Sequence, residues 1–265
     1  MILAAVAAVF VGCGTYSKIL KSEDPEVIYK AAMDYYEQGK YNRTVDLFGM
    51  VRHLYLNTER ADSIAYFTGM AYYKNRSFDM SSMTFDDFRK RYGRSPFLPD
   101  AEYRYAKGLY YMSPASNRDQ TATVSALVAI NEYLERYPDN QYKEILVENM
   151  RELNGKLDDK AFINAKLYYT TKNYKSAVVA FRNALSRFPE SKHKEEMMYL
   201  TVRSAFLLAQ NSVYSLKRDR YLVMMDSYYT LVSDYPQSRY RKNADRMKEP
   251  ARAYLALTPD EAENQ

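Results

Sequence analysis

An internal repeat constrains this chain more than any other feature of its sequence. Five segments align on an apolar residue, which an aromatic residue follows seven positions later and a small polar residue ten positions later. The apolar residues are Phe48, Phe85, Ile130, Phe181 and Tyr228. The aromatic residues are Tyr55, Tyr92, Tyr137, Phe188 and Tyr235, and the small polar residues are Thr58, Ser95, Asn140, Ser191 and Ser238. Such self-similarity is the signature of an architecture of stacked repeats.

The aligned segments resemble the tetratricopeptide repeat, in which two helices, A and B, pack as a pair and a Pro often follows helix B. On helix A a small residue precedes a Tyr by three positions, in the pairs Ala32/Tyr35, Gly69/Tyr72, Gly108/Tyr111 and Ala165/Tyr168. Helix B carries Ala126 and Ala177, and Pro138, Pro189 and Pro236 close three repeats. The pattern predicts an all-α fold, a right-handed solenoid of about five elongated helix-turn-helix repeats with a C-terminal capping helix over 238–256.

The composition and the repeat spacing refine this prediction. The 265 residues include only 8 Gly and 9 Pro, which is typical of helices joined by short connections. Aligned residues lie 37 to 51 positions apart, more than the usual 34 or so. We assign the surplus to loops over 113–120 and 210–217. A further helical stretch is expected over 142–158, broken or bent at Asn154-Gly155.

The N-terminus carries the clearest local motif. Residues 1–12 are uncharged and apolar but shorter than the roughly 20 residues of a membrane-spanning helix. They lead into Gly12-Cys13, which resembles the lipobox of bacterial lipoproteins, with Phe10 where Leu is usual. The missing Lys/Arg-rich start leaves open a true start upstream of Met1. The resemblance implies cleavage before Cys13, the only cysteine, and its acylation, with no other cofactor. The residues after Cys13 lack both the acidic pair of a surface-export signal and the Asp of an inner-membrane retention signal, which by resemblance implies an outer-membrane anchor facing the periplasm.

The domain organisation follows from these features. We predict a lipoprotein signal peptide at 1–12 and the lipidated cysteine with an extended tether at 13–24. Repeats 1–3 should occupy 25–141, and repeats 4 and 5 with the capping helix should occupy 142–257. An acidic tail is expected at 258–265.

The anchor, the chain length and several local segments together resemble the BamD family of outer-membrane assembly lipoproteins. The segments are 71–75 (AYYKN), 107–112 (KGLYYM), 136–142 (RYPDNQY) and 165–169 (AKLYY). The resemblance covers nearly the whole chain after Cys13. It implies a scaffold that binds a BamA-like β-barrel subunit through its POTRA domain and receives unfolded outer membrane proteins. It also implies attachment to outer membrane lipid through the acyl anchor.

One face of helix A offers a candidate groove for those unfolded substrates. Residues at i, i+4 and i+7 share a helical face, which here carries Tyr29, Met33 and Tyr36 in repeat 1 and Tyr66, Met70 and Tyr73 in repeat 2. Tyr offers a rigid apolar plate with a hydroxyl group, and Met adapts to varied side chains. We predict a surface for extended peptides, although the same six residues could instead pack between repeats.

Basic residues gather on the predicted capping helix. Arg239, Arg241, Lys242 and Arg246 are the candidates for docking an acidic partner surface or anionic lipid headgroups. A solvated helix face remains the alternative interpretation. The net charge of +5 on the whole chain argues against a nucleic-acid partner.

The sequence shows no pattern typical of an enzyme. His53 and His193 lie in different repeats without metal-ligand spacing, and neither a phosphate-binding loop nor a nucleophile elbow is present. We therefore predict a non-enzymatic protein without a metal. A tetratricopeptide adaptor lipoprotein of another envelope complex remains an alternative. So does a nutrient-binding lipoprotein of the SusD group, although that group is longer and favours Trp, which this chain lacks.

Overall fold

The computed structural model describes residues 14–257. Within this range every regular element is helical and no β-strand is present. The chain divides into two compact units. The first contains the residues up to Pro114 together with Gln120–Leu153, and the second contains Ala115–Asp119 together with the residues from Asn154 onward.

Three helix pairs form the first unit. Its helices are α1 (Pro25–Glu37), α2 (Tyr41–Val51), α3 (Ala61–Lys74), α4 (Phe78–Arg91), α5 (Leu98–Met112) and α6 (Thr121–Arg136), with a 3-10 helix at Arg52–Tyr55. The pairs α1/α2, α3/α4 and α5/α6 pack together and form repeats 1, 2 and 3. Helix α7 (Lys143–Thr170) begins in this unit.

The second unit contains repeats 4 and 5 and the last helix. Repeat 4 consists of the second part of α7 and the whole of α8 (Tyr174–Arg187). The two helices share a core around Phe162, Ala177 and Phe181. Repeat 5 consists of α9 (Lys194–Gln210) and α10 (Tyr214–Asp234), and α11 (Arg241–Leu255) packs on both. The all-α fold of tetratricopeptide-type helix pairs with a final capping helix is confirmed.

The aligned residues lie at the centre of each pair. Phe48, Phe85, Ile130, Phe181 and Tyr228 are each at most 2% exposed. In repeats 1 and 2 the residue four positions before the aligned residue has a hydroxyl group that donates a hydrogen bond from helix B to helix A. Thr44 Oγ1 donates to the carbonyl oxygen of Ala32 over 3.2 Å, and Ser81 Oγ donates to that of Gly69 over 3.2 Å. Ala32 and Gly69, the small residues of helix A in repeats 1 and 2, therefore lie in direct contact with helix B, as the register predicts.

The turn from helix A to helix B repeats its backbone conformation. Gly39, Arg76 and Lys172 have φ of 72°, 62° and 61°, and each lies nine positions before its aligned residue. This left-handed residue lets the following N–H reach back to helix A. Lys40 N donates to Tyr35 O over 2.8 Å, and the same bond joins Ser77 N to Tyr72 O and Asn173 N to Tyr168 O. Repeats 2 and 4 thus place a residue with a side chain where glycine is favoured.

Three local expectations are wrong. Helix α7 continues through Asn154 and Gly155, so the break predicted there is absent, while a bend at this point stays a prediction. The loop within repeat 5 covers only 211–213, because α10 begins at Tyr214 and both helices of this repeat are long. Residues 14–19 are helical, where we predicted an extended tether. The predicted loop over 113–120 is confirmed.

Candidate protein-binding surfaces

A stacking contact that the sequence analysis missed joins each repeat to the next element. A planar side chain twelve positions after the aligned residue packs on a ring of helix A in the same repeat. In repeats 2 to 5 the ring centroids are 4.5 Å apart for Tyr66–Phe97, 3.7 Å for Tyr103–Tyr142, 4.2 Å for Phe162–His193 and 4.4 Å for Tyr199–Tyr240. In repeat 1 the Arg60 guanidinium takes the place of the second ring and lies 4.8 Å from the Tyr29 ring. We call these five pairs the stacking column. The alignment contains the signal, since four of the five added residues are aromatic or imidazole rings.

An acidic residue of helix A binds the turn that follows helix B. Ser95 Oγ donates to Asp62 over 2.6 Å, Ser191 Oγ to Asp158 over 2.8 Å, and Ser238 Oγ to Glu195 over 2.7 Å. In repeat 1 the Tyr55 hydroxyl and Arg60 bind Glu26, and in repeat 3 Arg136 binds Glu102. The small polar residue of each repeat also accepts a backbone N–H two positions on. The acidic residue of helix A and the small polar residue after helix B therefore fix the turn that leads to the next helix.

The predicted groove residues lie on helices α1 and α3. Tyr29, Met33, Tyr36, Tyr66 and Tyr73 are half-buried, whereas Met70 is only 6% exposed and belongs to the core. Tyr29 and Tyr66 are both in the stacking column. Their hydroxyl groups also reach the next repeat, with Tyr29 OH 3.3 Å from Ser63 Oγ and Tyr66 OH donating to Asp100 over 2.7 Å. The helix face is thus an interface between repeats that leaves parts of its rings accessible.

Tyr36 and Tyr73 continue that face at the end of each helix A. The Tyr36 ring contacts Tyr41 and Phe67 with centroid distances of 5.7 and 5.1 Å. The Tyr73 ring contacts Phe78 at 5.5 Å and Tyr111 at 6.4 Å, and Tyr111 is 47% exposed. A row of partly accessible aromatic rings therefore runs along the helix A side of repeats 1 to 3.

An ion pair lies within this row. Arg104 donates to both oxygens of Asp100 over 3.2 Å, and its guanidinium lies 5.1 Å from the Tyr73 ring. Burial alone would lower the pKa of Arg104. The hydrogen bonds to Asp100 outweigh burial, so the pKa of Arg104 lies above its usual value. Burial raises the pKa of Tyr73 to about 12, and burial with the Asp100 contact raises the pKa of Tyr66. The tyrosines are therefore neutral hydrogen-bonding groups at neutral pH.

The four basic candidates at the C-terminal end differ in their contacts. Arg241 pairs with Asp245 at 3.0 Å, and Asp245 also accepts from the Tyr228 hydroxyl at 2.5 Å. Arg239 binds Glu195 through its backbone N–H at 3.0 Å and pairs with it at 3.6 Å. Lys242 and Arg246 are exposed and form no ion pair with any other residue of 14–257. These two cations are one helical turn apart and remain available to a partner.

The two histidines have different surroundings. His193 stacks on Phe162, and its Nε2 lies 2.8 Å from Asp159, which also pairs with Lys192. His53 is exposed in the 3-10 helix of repeat 1. Across residues 14–257 no group of three or more His, Cys, Asp or Glu side chains could hold a metal ion. In the same range no helix has the length and apolar character needed to span a membrane.

Three predicted features lie outside the described residues. These are the signal peptide at 1–12, the predicted lipidation site Cys13 and the acidic tail at 258–265. The contacts above define the rest of the chain as a helical-repeat scaffold whose accessible aromatic and basic surfaces suit protein binding.

Comparison with known proteins identifies the family. The model of the family described as outer membrane lipoprotein YfiO matches residues 21–168 and 160–259. The chain belongs to this family. It is accordingly an outer membrane lipoprotein.

Characterised relatives agree with that assignment. The outer membrane protein assembly factor BamD of Caulobacter vibrioides is 26% identical over 213 residues, which cover 78% of this chain and 69% of the relative. BamD of Neisseria meningitidis serogroup B is 22% identical over 236 residues, covering 85% of each chain. A solved TPR2AB-domain complex of yeast Sti1 has a TM-score of 0.40 at 11% identity, covering 86% of this chain and 98% of that chain. That value is too low to bear on the fold or the function.

Proposed function

We propose that this chain is an assembly factor for outer membrane proteins and that it acts by binding and positioning other proteins, without catalysis. The family match over residues 21–259 carries the proposal, together with relatives named as outer membrane protein assembly factors. The described surfaces offer aromatic rings and free cations for protein contacts. No cofactor is part of the proposal except a covalent lipid on Cys13.

The lipid belongs on Cys13 because this is the only cysteine of the chain and follows a lipobox-like segment. Three acyl chains bind a bilayer far more tightly than the single chain that gives only marginal attachment. Mass spectrometry of the mature protein should therefore find an acylated Cys13 at its N-terminus. The Cys13→Ser variant should be neither cleaved nor acylated, and a wild-type mature chain that starts elsewhere would contradict this assignment.

The aromatic row of repeats 1 to 3 is the proposed surface for unfolded β-barrel substrates. A barrel strand alternates apolar and polar side chains, and such a segment needs apolar plates beside polar groups. Tyr36 and Tyr73 supply partly accessible rings, and the Asp100–Arg104 pair supplies an acceptor and a donor beside them. Met70 supports this surface from the core.

The second unit is the proposed docking site for a BamA-like barrel subunit, which would bind here through the POTRA domain of that subunit. Lys242 and Arg246 support this part of the proposal, since exposed cations without internal partners favour an acidic partner surface. Arg239 and Arg241 are engaged with Glu195 and Asp245 and position this end of the chain.

A single pair of titrations tests both surfaces. A labelled peptide from the C-terminus of a β-barrel protein is titrated into wild type and into the Tyr36→Ala/Tyr73→Ala variant. Removing two anchoring rings should weaken binding by about tenfold or more. Tyr229→Ala is the matched control, because Tyr229 is 57% exposed and lies on α10. The Lys242→Glu/Arg246→Glu variant should bind the peptide normally but bind the POTRA partner more weakly.

The outcomes separate the two proposals. Unchanged peptide affinity in a folded Tyr36→Ala/Tyr73→Ala variant would remove the aromatic row as the substrate surface. Loss of both peptide and POTRA binding, with a lower melting temperature, would mean that these two rings serve the core. Normal POTRA binding by the Lys242→Glu/Arg246→Glu variant would reject the docking assignment.

A further inference from the structure

The segment between Cys13 and α1 is ordered against repeat 1. Backbone hydrogen bonds of 3.0 Å join Leu20 N to Tyr16 O and Ser22 N to Ile19 O. Ser22 Oγ accepts from Asp24 N at 3.2 Å, and Asp24 caps α1 through the N–H of Glu26 at 2.9 Å. Hydrogen bonds thus run from Tyr16 into the first helix of the repeat.

Tyr16 fastens this segment to both helices of repeat 1. Its ring packs edge-on against Tyr35 of α1, with centroids 5.5 Å apart and an interplanar angle of 87°. Its hydroxyl donates to Asp46 of α2 over 3.1 Å, and the Arg43 guanidinium lies 4.5 Å from the ring. Ile19 packs on the core of the same repeat. We call these contacts of Tyr16 and Ile19 the N-terminal clamp.

The clamp shortens the connection between Cys13 and repeat 1. Tyr16 follows Cys13 by three residues, which span at most about 10 Å when fully extended. Without the clamp the first fixed residue would be Asp24, eleven residues after Cys13, and the reach would be about 38 Å. The limit holds for any conformation of the residues between Cys13 and Tyr16.

The exposed side of the clamp suits a lipid surface. Ile19 is turned to the core, whereas Lys18 and Lys21 are exposed and Leu20 is 40% exposed. An exposed Leu between lysines is typical of segments at the boundary between headgroups and acyl chains. Lysine side chains are also attracted to anionic phospholipids.

We propose that the N-terminal clamp holds repeat 1 against the membrane surface, with Lys18, Leu20 and Lys21 at the headgroups. The proposal rests on the proposed acylation of Cys13. The lipid then fixes the position of the first repeat at the membrane, rather than tethering a freely moving scaffold. Tyr16 is a positioning residue in this arrangement.

Fluorescence quenching in vesicles tests the clamp. The acylated protein carries a fluorophore on Lys40→Cys, the only free thiol once Cys13 is acylated, in the exposed turn between α1 and α2. It is reconstituted into vesicles of phosphatidylethanolamine and phosphatidylglycerol that contain a headgroup-linked quencher. Quenching should be strong in the otherwise wild-type chain and at least about twofold weaker with Tyr16→Ala, since the reach grows severalfold. Tyr16→Phe keeps the ring contacts and should resemble wild type.

A second variant keeps the test decisive if Tyr16→Ala destabilises repeat 1. Eight Gly/Ser residues inserted between Gly14 and Thr15 lengthen the connection by up to about 28 Å but leave the Tyr16 contacts in place. This variant should melt like wild type and also lose quenching. An unquenched wild-type label, or an insertion variant quenched like wild type, would overturn the proposal. Failure of acylation is a separate result, because such a chain lacks the lipid mass and does not stay on vesicles.

Discussion

The imidazole ring of His193 stacks on the ring of Phe162, with centroids 4.2 Å apart and planes inclined by 9°. His193 directly precedes α9, and Tyr240 directly precedes α11 in the same position of its repeat, stacked on Tyr199. The ring thus joins helix A of repeat 4 to the start of the next helix. This contact gives His193 a structural role in repeat 4.

Removing this ring should destabilise the protein. We expect His193→Ala to lower the free energy of unfolding by about 1 kcal/mol or more, because an aromatic pair contributes about 0.5–1.5 kcal/mol beyond the area it buries. His193→Tyr should cost less, since Tyr already fills this position in repeats 3 and 5. Denaturant titration measures both. His53→Ala is the control, because His53 is exposed. An equal loss of unfolding free energy in His53→Ala would contradict the stabilising role of the His193 stack.

The close approach of α3 and α4 gives a second prediction. A Cβ atom on Gly69 would lie 2.8 Å from the Phe85 ring, which is itself fully buried. Gly69→Ala should therefore destabilise the protein by about 1–3 kcal/mol, despite the higher helix propensity of Ala. Gly49→Ala is the matched control, because Gly49 lies in α2 with open space at the Cβ position. That substitution should stabilise by up to about 1 kcal/mol, and thermal melts of the two variants should shift in opposite directions.

The turns from helix A to helix B give a third prediction. Arg76 and Lys172 adopt a left-handed conformation that favours Gly, which is present at the equivalent Gly39. Arg76→Gly and Lys172→Gly should each leave the free energy of unfolding within a few tenths of a kcal/mol of wild type or raise it by up to about 1 kcal/mol. Gly relieves the strain of the left-handed conformation, and this gain offsets the greater conformational freedom that Gly gives the unfolded chain. Gly39→Ala should lower stability by about 1 kcal/mol. Denaturant midpoints test this, and a stable Gly39→Ala variant would show that the turn relaxes.

The sequence alone predicted the parts of the fold that depend on helix periodicity. The aligned residue, the small residue of helix A and the capping helix recur at fixed spacing, because each repeat buries the same face against its partner helix. Gly69 and Ala177 could be recognised as core positions for this reason. The resemblance to the family rested instead on the chain length, the segment around Cys13 and local segments such as 107–112 and 136–142.

Contacts between distant residues could not be predicted in the same way. The sequence does not reveal that Tyr66 already stacks on Phe97 and donates to Asp100, so it left open whether the stripe on helix A is groove or interface. Residues 14–19 have no counterpart in the repeat pattern, and their docking depends on contacts with distant residues, such as those of Tyr16 with Tyr35 and Asp46. The substrate and docking surfaces therefore remain predictions that binding measurements must test.

The last prediction concerns Asp159 and the pH dependence of stability. Burial alone would raise the pKa of Asp159, but hydrogen bonds from Lys192 and His193 outweigh it and hold the pKa below its usual value. Both contacts measure 2.8 Å, and Ser116 Oγ donates to the second carboxylate oxygen over 3.4 Å. A carboxyl group with a lowered folded-state pKa stabilises the protein above its unfolded-state pKa, near 3.9. That stabilisation is lost as the pH falls through the folded-state pKa.

Asp159→Asn should therefore be less stable than wild type between about pH 5 and pH 7, with the difference shrinking as the pH falls below about 4. Urea denaturation across this pH range measures the two free energies of unfolding. Asp139→Asn is the control, because Asp139 is exposed and forms no ion pair within residues 14–257. Its difference from wild type should stay small at every pH. A constant deficit for Asp159→Asn down to pH 2 would mean that the side chain acts through neutral hydrogen bonds, and that its charge contributes nothing to the docking of Lys192 and His193.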